Sequence, residues 1–384
     1  MSTPVELAFF NSALIEALNN ASVLKRKKLR VIIYYHKHCK AHDGSMSAAV
    51  AKYFITKFTE QYNVDIRPEF IFEGITYGTE YKGDKLVNQD LIVFVDFMFT
   101  ELQDNLQIMS DADCPIIICD HHNDKRVESI HEYNNFNAKS TNTVDIQFND
   151  SFSGVSNTIK YFDQYKEHTG LGESSSTWDA CIINIINCIN DYDMWEWKFT
   201  DTAAINAYFS TFTDADNIEF AYDLINNQCN ITHDEIAQIY YGMVDTGNIL
   251  ERNKAKRVDS STNKYVEVHL PMHLEKNGCI IDRTYSFAVV NSISDKNECA
   301  DVFTPSYDFA IVWAFQGNYI TGSIRAQKDK LDGFMDANIL ANLSEYGMVG
   351  GGHPSAAGFS VKDPSRITKF LERFVYGAKP KKLS

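Results

Sequence analysis

A chain of 384 residues with 44% hydrophobic and 23% charged residues has the makeup of a soluble globular protein, and its length calls for two domains. A formal net charge of −15 argues against a protein that coats long nucleic acid, because such binding rests on many Lys and Arg contacts to phosphate. No apolar run approaches the roughly 20 residues that cross a bilayer, so no membrane is expected as a partner.

The opening "MSTPVELAFFNSALIEALNN" carries Glu6 and Glu16 and lacks the basic region of a secretory signal. It reads as an amphipathic helix with Pro4 in its first turn. "KRKK", Lys25 to Lys28, is a solvated connector into the first strand, "LRVIIYYH", Leu29 to His36. "SMSAAVAKYFITKF" then places Met46, Ala49, Val50, Tyr53, Phe54 and Phe58 at helical spacing. "LIVFVDFMF" (Leu91 to Phe99) and "CPIIICDHH" (Cys114 to His122) are continuous apolar runs that end in polar groups, as do strands of a parallel sheet buried on both faces. The polar stretch from Asn134 to Asn149 is expected to be a flap or an irregular excursion. "TWDACIINIINCINDYDMW" (Thr177 to Trp195) is helix throughout or helix giving way to a turn.

From Thr202 to about Val258 the chain reads helical, with "THDE" at Thr232 a capping box. Strand-like segments follow: "YVEVHL", "YSFAVVNSI", "DFAIVWAF" and "YITGSIRA", the last two joined as a hairpin by "QGN". A helix, "DANILANL", leads into "GMVGGGHPSAAGFSV", and "PSRITKFLERFVYG" is the final helix before a basic tail. Eight scattered cysteines without a CxxC pair fit reduced thiols in a cytoplasmic protein and no structural zinc cluster. The fold class expected is α/β. An N-terminal helix and connector (1–28) precede a parallel-sheet domain (29–200), and a helical linker (201–262) leads to a smaller α/β C-terminal domain (263–384).

Each strand of the first domain ends in ionisable groups. The first gives His36, His38, His42 and Asp43, the second Asp96, and the third Asp120, His121 and His122. Asp191 and Asp193 follow the run "CIINIINCIN". A lone Asp at a strand end serves equally as a helix cap, and a lone His as a satisfied polar residue. Four such sets at equivalent ends of one open sheet, where ligands bind, form a site. Clustered carboxylates repel one another, and divalent cations relieve that repulsion. Mixed His and Asp ligands suit Mn²⁺ better than Ca²⁺ or a thiolate-bound zinc. Two such cations about 4 Å apart would activate water for in-line attack at phosphorus.

"DHH" after an apolar strand, with "GGGHPSAAGF" near the C-terminus, closely resembles the DHH phosphoesterases that carry the DHH-associated C-terminal domain. The resemblance runs from about Leu29 to Phe374. It implies that "HCKAHDG" supplies metal ligands His38 and Asp43, with His36 the alternative to His38, and that Asp96 in "VDF" bridges the metals. It implies further that His121 is a ligand, that Asp120 orients an imidazole, and that His122 sits near the reacting phosphate. In "NDYDMW" the preferred ligand is Asp191 and the fallback Asp193. "SFSGVS" is either a Ser-Gly element of the family's oligonucleotide-degrading branch or a plain loop. In the C-terminal domain, Arg325 of "SIRA" and Gly350, Gly351, Gly352 and His353 of "GGGHP" would bind substrate. Glycines there let backbone N–H groups approach a phosphate closely. The chain departs from the pattern at Ala41, where many members carry an Asp two places before Asp43. His42 stands next to that Asp.

The implied activity is Mn²⁺-dependent phosphodiester hydrolysis with two ions, Mg²⁺ being the other candidate cation. The acidic charge and two-domain length favour short oligonucleotides cut to mononucleotides, with length set by a cleft between domains. Cyclic dinucleotides or phosphoadenosine phosphate are the second choice of substrate. A non-catalytic nucleotide sensor is the reading from another class. Whether the chain forms a homodimer is left open.

Overall fold

Alternation along buried strands builds the first sheet. In the computed structural model, which describes residues 6–9, 12–37, 42–63, 65–76, 88–98, 107, 112, 114–122, 143–170, 172–276, 279–331, 334–376 and 380–382, the chain forms two units, Met1–Glu251 and Arg252–Ser384. The first holds strands β1 (Glu6–Phe9), β2 (Lys28–His36), β3 (Arg67–Ile75), β4 (Leu91–Val95), β5 (Ile116–Asp120) and β6 (Val144–Asn149). Their order is β1-β6-β5-β4-β2-β3, parallel throughout except for β1, which runs antiparallel to β6.

Successive side chains point to opposite faces, and both faces are covered. Val31, Ile33, Leu91, Val93 and Ile117 join the core beneath helices α1 (Ala13–Val23), α2 (Asp43–Tyr62), α3 (Gly154–Thr169) and α4 (Ala180–Asp193). Ile32, Phe94, Ile116, Ile118, Ile146 and Phe148 pack together on the other face. The chain goes from β2 to β3 on one side, then returns to place β4 on the other side of β2. That reversal makes the carboxyl ends of β2 and β4 a topological switch point, the usual ligand position in open α/β sheets. His36 and Asp96 stand there.

Three expectations are corrected. The opening residues do not form one helix: Glu6–Phe9 is a strand, and the helix starts only at Ala13, where the backbone N–H donates to the buried Asp145 carboxylate. The Asn134 to Asn149 stretch is not all loop, because Val144–Asn149 is a fully buried parallel strand; 134–142 lie outside the described residues. "DANILANL" yields a helix of only Ala337–Leu340.

Helices α5 (Thr202–Phe209), α6 (Asp214–Asn227) and α7 (His233–Thr262) occupy the segment read as a linker. Ile205, Phe209, Ile218, Leu224, Ile225, Ile236 and Met243 nevertheless belong to the first unit's core, and the boundary at Glu251 falls inside α7. Thr232 and Glu235 make the reciprocal bonds of a capping box at the start of α7. The second unit is a seven-stranded sheet containing β7 (Lys264–Lys276), β8 (Cys279–Asn291), β9 (Phe309–Gln316), β10 (Tyr319–Arg325), β11 (Val349–His353), β12 (Ala356–Val361) and β13 (Pro380–Lys382). Their order is β11-β12-β10-β9-β8-β7-β13, and only β8 and β9 are parallel. α10 (Pro364–Leu371; with α8 Lys296–Asp301 and α9 Ala337–Leu340 before it) closes its core through Phe370. Among the described residues no helix is long and apolar enough to cross a membrane.

Candidate metal centre

Two glycines bring helix starts against strand ends. A Cβ on Gly44 would lie 2.2 Å from the His36 carbonyl oxygen, so only glycine lets α2 begin directly on the end of β2. A Cβ on Gly154 would lie 2.4 Å from Asp96 Cβ, so the start of α3 presses against Asp96 in the same way. Asp96 follows β4 with φ of 54°, a left-handed conformation that carries strain for a non-glycine residue. The "SFSGVS" stretch is thus the entry to α3. Its Gly154 and Val155 N–H groups donate to Asp43 Oδ2 and Oδ1 at 2.5 and 3.0 Å. A helix N-terminus favours a carboxylate, and Asp43 has one at each side, its own α2 and α3.

His121 joins two groups of donors. Its Nε2 lies 3.1 Å from Asp96 Oδ1 and 3.3 Å from Asp193 Oδ2. Asp96, Asp120, His121 and His122 offer ligand atoms all within 4.8 Å of one another, and Asp43, His121 and Asp193 form a second such set. Asp120 accepts the His121 N–H at 2.8 Å and pairs with His122 Nδ1 at 2.8 Å, so one carboxylate fixes both the turn and the imidazole. His36 Nδ1 stands 3.8 Å from Asp96 Oδ2. Asp43, Asp96 and Asp120 are buried. Burial, then the charges of Asp43, Asp193 and Asp120, pushes the Asp96 carboxyl well above its usual range. Burial and Asp43 push Asp193 up to about 6, against the pull of His121 and His122.

Asp191 does not enter either set. It is fully buried, and its carboxylate accepts the Lys198 N–H at 2.8 Å, the Phe199 N–H at 3.2 Å and the Thr202 hydroxyl at 2.5 Å. These donors hold it below the usual carboxylate range although burial opposes them. Two residues on, Asp193 faces His121 instead. His42 also stays outside: Nε2 lies 2.9 Å from Ser210 Oγ and Nδ1 3.4 Å from Asn217 Nδ2. His38 lies outside the described residues.

In the second unit, Arg325 ends β10, and its Nε is buried without a hydrogen-bond partner among the described residues. Gly350, Gly351, Gly352 and His353 form the exposed edge strand β11. A Cβ on Gly350 or Gly352 would collide with β12 backbone, at 2.0 Å from Gly358 O and 2.4 Å from Ala356 O. Gly351 has nothing nearer than 3.7 Å. The Gly350 and Gly352 N–H groups donate to the side chains of Asn342 and Asn338, each at 3.2 Å. Those two asparagines, and the packing roles of Gly44 and Gly154, were not singled out on the sequence. Nothing in their spacing distinguishes them from ordinary polar or turn residues.

The donor set fits a divalent cation. Four carboxylates converge with imidazoles in a largely buried space, and among the described residues Asp193 Oδ2 is buried with no hydrogen bond, His121 Nε2 lying 3.3 Å away as its ion-pair partner. Carboxylate oxygens mixed with imidazole nitrogens are a ligand set of first-row divalent cations.

No protein-family model matches the chain, and no curated protein matches it. Among solved structures it is similar to RecJ from Thermus thermophilus in complex with Mn²⁺, at 12% identity and a TM-score of 0.47, over 94% of this chain and 54% of that one. The chain therefore spans about half the length of that RecJ. It is similar to PggH, a pGpG-specific phosphodiesterase from Vibrio cholerae, at 11% identity and a TM-score of 0.42, over 89% and 97% of the two chains. The C-Ala domain of Aquifex aeolicus alanyl-tRNA synthetase is matched by 23% of this chain at 14% identity and a TM-score of 0.20.

Proposed function

We propose that the chain is a DHH-type, metal-dependent phosphodiesterase that cuts short oligonucleotides to mononucleotides. One observation carries the reading: two overlapping ligand sets that share His121, one at the ends of the neighbouring parallel strands β4 and β5 and the other completed by Asp43 and Asp193 from helix ends. In this reading Asp43, Asp96, His121 and Asp193 hold Mn²⁺, with His36 beside Asp96. Asp193 takes the place that the sequence motif offered first to Asp191, because Asp191 is engaged with the 198–202 backbone and hydroxyl. Bound cations of this kind polarise a phosphoryl oxygen and lower the pKa of water.

The protein's own residues do the rest. Asp120 pairs with His122 Nδ1 at 2.8 Å and so fixes the orientation of that imidazole, which in this reading lies near the reacting phosphate. In the second unit Arg325 and His353, with the Gly351 backbone, take a substrate phosphate. The unpartnered Arg325 Nε supports that role, since a buried guanidinium nitrogen without an acceptor favours an arriving oxyanion.

The test is Mn²⁺-dependent hydrolysis of a 5′-labelled RNA dinucleotide, a longer oligomer and a cyclic dinucleotide, side by side. Fast release of mononucleotides from the dinucleotide, abolished in Asp96→Ala, is the expected result. Undiminished turnover in Asp96→Ala would overturn the metal-centre assignment. Cleavage of the cyclic substrate alone would move the substrate class.

A further inference from the structure

The segment that follows Asp193, "MWEWKF", keeps large aromatic rings in water. Trp195 is 66% exposed, Trp197 45% and Phe199 43%. Both tryptophans have a left-handed backbone, with φ of 57° and 56°, a conformation that is costly for bulky side chains. The rings nonetheless form a defined cluster. Tyr192, Trp195 and Trp197 meet edge to face, with centroids 5.8, 5.3 and 4.9 Å apart for the pairs 192–195, 192–197 and 195–197. Asp191 builds this segment. Its backbone carbonyl accepts the Glu196 N–H, and its buried carboxylate gathers Lys198, Phe199 and Thr202. A buried charge with three donors is thus committed to presenting two exposed indoles. Trp195 is two residues from the metal-set carboxylate, within about 7 Å by Cα spacing.

We propose that Trp195, with Trp197 packed edge to face against it, is a stacking platform for a nucleobase of the substrate, next to the scissile phosphate. The inference rests on the phosphodiesterase reading above and narrows it: the substrate is a single-stranded nucleotide chain recognised by a base face, not merely by its phosphates. Three observations select this occupant over a generic apolar partner. The platform is continuous in sequence with the phosphate-reacting centre. Its members are flat indoles, the side chains best suited to a base face. Glu196 and Lys198, the sequence neighbours of Trp197, pair with each other at 2.7 Å, so the platform lies in a polar, charged stretch of chain. The platform selects for a base of any identity, because every base offers a π-face.

The experiment crosses protein variants with two ligands. Parent, Trp195→Ala and the rescue variant Trp195→Tyr are compared on an RNA dinucleotide and on the same dinucleotide lacking one base, by KM and kcat and by equilibrium binding. Loss of one stacking contact should weaken dinucleotide binding by roughly 5- to 150-fold, with kcat little changed. Trp195→Tyr should recover most of that loss. Removing the base should cost the parent at least as much as the substitution does, and should cost Trp195→Ala clearly less than it costs the parent. Equal binding of the dinucleotide by parent and Trp195→Ala overturns the platform. So does a dimeric parent that Trp195→Ala and Trp197→Ala convert to monomer while dinucleotide binding is kept, since the rings then cover a second copy. If no phosphodiester is cleaved at all, the binding arm still decides on the platform, so the two readings fail separately.

Discussion

Replacing Gly154 by alanine tests whether the packed start of α3 sets the centre. The added Cβ would fall 2.4 Å from Asp96 Cβ and 2.8 Å from its Cα and Cγ. Non-bonded carbons settle near 3.5 Å or beyond, so the helix start must retreat by about 1 Å. The Gly154 N–H, now 2.5 Å from Asp43 Oδ2, retreats with it. Overpacking of this kind costs about 1–3 kcal/mol, and a weakened hydrogen bond to a buried charge adds about 1.5–3 kcal/mol. A melting temperature lower by about 5–15 °C follows for a unit of this size. A ligand displaced by about 1 Å costs on the order of 100-fold in turnover. The assay pairs calorimetric Mn²⁺ titration with thermal unfolding, with and without the ion. Gly242→Ala is the control: it sits exposed in α7 with nothing within 4 Å of an added Cβ, and should gain about 1 kcal/mol of stability. Gly154→Ala with parental Mn²⁺ affinity and melting temperature would show that the contact with Asp96 does not fix the site.

Asp193→Asn should abolish Mn²⁺ binding at low cost to the fold. Asp191→Ala should lower the melting temperature, since each hydrogen bond lost from its charged carboxylate is worth about 1.5–3 kcal/mol, and leave metal binding to a correctly folded fraction; calorimetry on both variants separates the two. The Asp193 carboxyl, pushed up to about 6 by burial and by Asp43, holds a proton in the folded state that the unfolded chain has released. Metal-free stability from this group therefore falls as pH rises from about 4 through 6, by about 3 kcal/mol, and stays flat above. The melting-temperature difference between metal-free parent and Asp193→Asn should widen over that interval in favour of the variant; a constant difference would contradict it. On β11, Gly351→Ala should fold normally, having 3.7 Å of clearance, and yet raise KM if a phosphate meets that strand. Gly350→Ala should lose stability outright, and equal behaviour of the two in unfolding and kinetics would refute the distinction.

Residues at the ends of long apolar runs were legible in the sequence. His36, Asp96, Asp120, His121 and His122 terminate strands whose burial on both faces is written in unbroken hydrophobicity. Asp191 and Asp193 were not separable, because both lie at the end of one helix, and only the donors of residues 198–202 decide which one turns inward. β6 was read as loop for a similar reason. Asp145 and Gln147 look like surface residues, yet both are fully buried. Asp145 accepts the Ala13 N–H and the Tyr161 hydroxyl, and Gln147 donates to Asn157, partners that come from other elements. β3 escaped notice as well. It is an edge strand that alternates exposed and half-buried positions and carries Pro68, so its signal is weak.

The short strand β1 has a consequence for how the chain reaches its native state. Its register, Glu6 opposite Asn149 through Phe9 opposite Ile146, joins segments some 140 residues apart. Loop closure over such a distance is slow, so this pairing belongs among the last steps of folding, after β6 has docked on β5. Until then the outer side of β6 presents a row of unpaired amides and carbonyls to any other chain. Four residues of backbone thereby act as a self-supplied edge guard. Deleting them should leave the preassembled sheet prone to strand addition between molecules, seen as concentration-dependent aggregation on refolding.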